Sequence, residues 1–110
     1  MHSALVAYFA LKHPQGDVKQ LIEHALGRLG HVSLGAGEET RANVLVLEPA
    51  SAPDLEAARR LREAHHDLPI ICVSILPPFA EALALRPLAY LLKPFTVVGL
   101  RATIESVLNG

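Results

Sequence analysis

The chain alternates short, wholly apolar runs with segments of helical periodicity, and this alternation restricts the fold more than any other feature. The runs are "ALVAYFAL" (4–11), "NVLVLE" (43–48), "LPIICVSI" (68–75) and "AYLLK" (89–93), with a shorter "HVSLG" (31–35) among them. All are far too short to span a membrane. They lack the polar alternation of a half-exposed strand, so each reads as a strand buried on both faces. Between them lie helical patterns. Val18, Leu21, Ile22, Ala25, Leu26 and Leu29 share one helix face. Asp17 with Gln20 three residues on reads as a capping box, and Gly30 as the helix stop. Ser51 is the expected N-cap of a helix over 52–65, with Asp54 three residues further. "PPFAEALALRPL" holds a short helix, and Leu100, Ile104, Val107 and Leu108 mark a last one over 97–108.

Strands alternating with helices predict an α/β domain with a parallel sheet covered on both faces through right-handed crossovers. Five strands fit a flavodoxin-like (βα)5 three-layer sandwich in strand order 2-1-3-4-5, with 1–110 as one domain. Such a sheet works at the C-terminal ends of its strands, here residues 9–13, 48–51, 74–77 and 93–95. The second crossover is too short. "AGEETRA" is all that links strands two and three, whereas a full crossover takes at least about ten to twelve residues. The second helix is therefore expected to be shortened or absent.

Composition narrows the function. The formal net charge is −1 and the pI about 6.6, and no charge run occurs, which argues against a nucleic-acid binder or an anionic-membrane binder. The single cysteine, Cys72, excludes an internal disulfide, fits a reducing cytoplasm, and reads as an inert core thiol. "MHSALVAYFALKHP" has neither the basic start nor the small-residue cleavage site of a signal peptide, so it reads as a strand. No glycine-rich phosphate loop follows the first strand, and no nucleophile elbow is present. Neither an enzyme nor a cofactor is expected. His65 and His66 are adjacent and cannot share a helix face, so no metal site is expected there.

Three stretches, "NVLVLEP" (43–49), "PIICVS" (69–74) and "AYLLKPF" (89–95), resemble the response-regulator receiver domain of two-component signalling. The likeness runs almost end to end. It implies a phosphoacceptor aspartate ending the third strand, two acids ending the first strand to hold Mg²⁺, a lysine for the phosphoryl group, and a Ser or Thr with a Tyr that switch together. Lys93 with Pro94, Ser74 and Tyr90 match these positions. The phosphoacceptor position holds Glu48. The acid pair is expected at Tyr8 and Phe9, and residues 1–16 contain no acid. Asp17, Asp54 and Asp67 are the aspartates of the chain, and their positions in a helix cap, a first helical turn and a loop do not rebuild a metal site. Where the family has Gly-Ala before the fifth strand, this chain has Arg86-Pro87.

The resemblance therefore points to a degenerate pseudo-receiver that needs neither Mg²⁺ nor phosphate. Glu48 is expected to face Lys93 as a fixed charge. Without phosphate, Ser74 and Tyr90 read as a strand-end hydroxyl and a half-buried phenol. His13 reads as a loop residue on the functional edge. Leu76, Phe79, Leu83, Leu85 and Leu88 are more apolar residues than a short fourth helix can bury. They form the expected interface on the fourth-helix to fifth-helix face, for a protein partner or a homodimer. The implied role is protein interaction or dimerisation in cytoplasmic signal transduction or transcription regulation, a module often joined to a nucleic-acid-binding output domain. Two alternatives stand beside it. One is phosphorylation at Glu48 by unusual chemistry. The other is a small ligand-binding domain or enzyme using His13, Glu48 and Lys93.

Overall fold

A computed structural model describes residues 6–35 and 37–109. The apolar runs form five parallel strands: β1 (Tyr8–Lys12), β2 (Val32–Ser33), β3 (Val44–Leu47), β4 (Ile70–Ser74) and β5 (Ala89–Leu92). Their order is β2-β1-β3-β4-β5, the flavodoxin-like order. The helices are α1 (Asp17–Arg28), α2 (Ala52–Ala64), α3 (Ala80–Leu83) and α4 (Val97–Asn109). Between β2 and β3 lies only a single 3₁₀ turn, Glu39–Arg41, as the short link demands. The expected strand start at Ala4 and Leu5 lies outside the described residues.

Strand periodicity sorts the core onto two faces. Phe9, Val44, Val46, Ile71 and Val73 meet Ile22 and Leu26 of α1 and Leu100 and Ile104 of α4. Ala10, Leu45, Leu47, Ile70 and Cys72 meet Leu55 and Ala58 of α2, and Leu85. β3 and β4 are buried at every residue, which is why their sequences carry no polar alternation. Burial of a Leu or Ile side chain contributes about 1.5–3 kcal/mol. These central strands therefore fix the sheet, and the edges adapt to it.

Helix ends refine the sequence reading. Gly16, not Asp17, is the N-cap of α1, and no side chain caps it; Asp17 instead sits in the first turn. An acid there complements the positive end of the helix dipole. At the other end Gly30 N–H donates to Gly27 O and His31 N–H to Leu26 O. That is a Schellman stop, and Gly30 supplies its positive φ of 91°. Ser51 caps α2 by position, without a side-chain bond. Val18 and Leu21 lie exposed on the flank of α1, because Ile22, Ala25 and Leu26 form the stripe that meets the sheet.

The shortened crossover leaves part of the sheet uncovered. Tyr8 and Val32 are register partners, and both stay exposed. The Arg41 guanidinium lies 5.6 Å over the Tyr8 ring and gives it partial cover. Lys12, at the end of β1, pairs with Glu39 of the 3₁₀ turn at 2.9 Å.

Candidate functional site

The C-terminal edge of the sheet gathers four polar side chains. β3 is apolar up to Leu47, and Glu48 follows as its first polar residue, with its N–H donating to Lys12 O at 2.9 Å. Lys12 pairs with Leu47 in register, so the residue just after β1, His13, comes level with Glu48. Ser74 ends β4, and Lys93 follows β5, its N–H donating to Ser74 O at 2.8 Å. The parallel ladder thus delivers His13, Glu48, Ser74 and Lys93 to one place from four separate segments. The Lys93–Pro94 peptide bond is cis.

Glu48 is the centre of this group and is only 4 % exposed. Its Oε1 accepts from Ser74 Oγ at 2.9 Å and from Ala50 N–H at 3.2 Å. Its Oε2 makes no conventional hydrogen bond; the Lys93 ammonium, 3.0 Å away, is its counter-charge. A partly exposed pair of this type is worth about 0–1 kcal/mol. This one is buried, with the two side chains 14 % and 5 % exposed, so removing either partner carries the larger penalty of a stranded charge.

The charge influences its neighbours. Burial, with a smaller push from the Glu48 carboxylate, raises the Cys72 thiol to about 12, so this thiol is unreactive near neutral pH. Burial likewise raises the Tyr90 phenol above its usual range. Tyr90 Oη donates to Leu76 O at 2.8 Å. Ser74 Oγ accepts from Leu76 N–H at 3.1 Å. The turn after β4 is therefore held from two sides, by Ser74 at its start and Tyr90 beneath it.

Two of the sequence expectations are corrected here. Tyr8 and Phe9 do not stand at the working edge. They open β1, with Phe9 in the core and Tyr8 against Arg41. The strand runs further than its apolar residues, so Lys12 and His13 occupy its end. Leu85 is not an interface residue: it is 3 % exposed and packs into the core beside Cys72. Arg86 adopts a positive φ of 56° just after it, and the chain turns there. Phe79 also packs partly against that core. Leu76, Leu83 and Leu88 are exposed, joined by Ile75 and Leu92.

His13 is the site member that sequence reasoning undervalued. Its Nε2 lies 2.7 Å from Lys93 Nζ and its Nδ1 2.9 Å from Pro14 O. Its position on the edge was the only available signal, since a lone histidine in a loop has no spacing pattern.

Strand order and helix placement are those of the flavodoxin-like fold. The chain matches no protein-family model and no curated protein. Solved structures do match. The receiver domain of a sensor histidine kinase from Pseudomonas aeruginosa, with magnesium in its active-site cleft, superposes with a TM-score of 0.81 at 18 % identity, covering 96 % of this chain and 100 % of that one. NtrX from Brucella abortus gives 0.80 at 16 % identity over 96 % of this chain, which spans 28 % of the NtrX chain. An orphan response regulator of H. pylori gives 0.70 at 18 % identity, with coverage of 92 % and 95 %. At these identities the likeness shows the fold.

Proposed function

We propose that the chain is an atypical receiver domain that works without phosphorylation and acts as a protein-interaction module in cytoplasmic signalling or transcription regulation, without being an enzyme. One observation carries the reading: the Glu48 carboxylate already holds the partners that a phosphoryl group would need. Lys93, Ser74 and the Ala50 N–H all face it. Mg²⁺ binds carboxylates and other hard oxygen ligands. The end of β1 offers an ammonium and an imidazole instead, and the carboxylates of Glu48 and Glu39 are each paired with a lysine. The donor set does not fit the magnesium of the sensor-kinase receiver. The exposed Leu76, Leu83 and Leu88, with Ile75 and Leu92, make the proposed contact surface for a partner or a second copy.

Beryllofluoride with Mg²⁺, followed by amide NMR, tests the reading. The expected result is no saturable shift at Ala50, Ser74 or Lys93. A stoichiometric, Mg²⁺-dependent response centred on Glu48 would overturn it in favour of phosphorylation at that residue. Self-association is tested by light scattering. A protein that associates should lose mass in Leu83→Glu and Leu88→Glu, and a monomer indifferent to both leaves only a different protein as partner.

A further inference from the structure

We propose that His13 and Lys93 form a proton-controlled latch: neutral His13 accepts from Lys93 and so pins the loop after β1 to the site, and protonated His13 releases it. The hydrogen-bond partners determine the ring's state. Pro14 O can only accept, so Nδ1 at 2.9 Å must carry a hydrogen. The Lys93 ammonium can only donate, so Nε2 at 2.7 Å must be bare. Only the neutral Nδ1–H tautomer satisfies both. A second proton would remove the acceptor and set two cations against each other at that distance.

The way the strain resolves also follows from the contacts. The charged groups facing His13 are Lys93, from the turn after β5, and Glu48, from the end of β3. The neighbouring Lys12 is engaged elsewhere, with Glu39. Lys93 stays because Glu48 is its counter-charge. The imidazolium would have to compete with Lys93 for Glu48, whose Oε1 already serves Ser74 and Ala50 and whose Oε2 faces the Lys93 ammonium. Apart from Lys93, the hydrogen bond of the His13 ring among the described residues is to the carbonyl of its own neighbour, and Pro14, Gln15 and Gly16 are exposed. The ring leaves Lys93, and the exposed loop it pinned is freed.

The latch shares the Glu48–Lys93 pair with the reading above, and its test is separate. Long-range ¹H–¹⁵N NMR of the ring should show the Nδ1–H tautomer at pH 8. Backbone order parameters of Gln15 and Gly16 should fall from about 0.85 at pH 8 to below about 0.6 at pH 5. In His13→Ala they should be low at both pH values. The Ala50 and Leu76 amides, which report on Glu48 and Ser74, should keep their order throughout. A neutral ring in the Nε2–H form, a loop equally rigid at both pH values, or the same pH response in His13→Ala overturns the latch. Beryllofluoride binding at pH 8 would overturn the phosphate-free reading and leave the latch standing.

Discussion

Two lysine–glutamate pairs stand at the same edge of the sheet, and they are held in different ways. Lys93–Glu48 closes at 3.0 Å with side chains 14 % and 5 % exposed. Lys12–Glu39 closes at 2.9 Å with side chains 25 % and 19 % exposed. The lengths are nearly equal, so distance does not separate them. Surroundings do. Glu48 comes from the end of a fully buried strand and is bound by a fully buried serine. Glu39 sits on a 3₁₀ turn and takes the N–H of Gly37, an exposed neighbour. The first pair is part of the core's polar rim, and the second ties down a turn that replaces a helix. An ion pair's weight here depends on what becomes stranded when it breaks.

Mutations that break one pair and then the other sharpen this contrast. The largest effect is expected for Glu48→Ala, a loss of about 3–5 kcal/mol in chemical denaturation, because it strands the Lys93 charge and the Ser74 hydroxyl. Adding Lys93→Met to Glu48→Leu should recover much of that loss, since a buried pair exchanged for apolar groups is often near neutral. Equal losses in the single and double variants would mean that packing, not charge, dominates. Glu39→Gln should cost about 1 kcal/mol or less.

That second pair also has a pH signature. The bonds from Lys12, first, and from backbone N–H groups hold the Glu39 carboxyl below its ordinary value. Its contribution is present above the unfolded value of about 4.3 and is lost as pH falls through the lowered folded value. Glu39→Gln should flatten that part of the stability curve. The smallest effect concerns His31, whose Nδ1 accepts from Ala7 N–H at 3.2 Å. Burial lowers its pKa, against a weaker raising effect of Glu105. The neutral ring is favoured in the fold, so stability is at its plateau above about 6.5 and declines as pH falls through that value toward the lowered one. Denaturation from pH 7.5 to 5 should show this slope, and His31→Gln should reduce it.

Sheet order, helix number and the missing second helix were legible in the sequence because apolar runs and link length report directly on burial and reach. Glu48 and Lys93 were legible as a pair through the receiver resemblance, and both do stand where apolar runs end on the same side of the parallel sheet. The acid-pair position on β1 was misplaced for a physical reason. The apolar run over 4–11 placed the strand end at 9–13, and it was the receiver resemblance, laid on a strand whose sequence has no acid to mark the register, that put the acid pair at Tyr8 and Phe9 rather than at Lys12 and His13. Leu85 was misread because an apolar residue beside a turn gives no sign of which way the turn sends it; the backbone at Arg86 decided that. His13 met Lys93 only through folding, across 80 residues of chain, which no local pattern encodes.

The single 3₁₀ turn has a consequence for how the molecule comes apart. β2 is joined to β1 by two register pairs, while β1 and β3 share four. With no helix after it, the described part of the segment from Val32 to Arg41 stays largely exposed, and its opening exposes little more. Amides there that lead back to β1, such as those of Val32 and Leu34, should exchange with solvent through local opening well below the global unfolding free energy. The same segment would be the first to admit a protease. The central strands, whose amides need the whole domain to unfold, would outlast it.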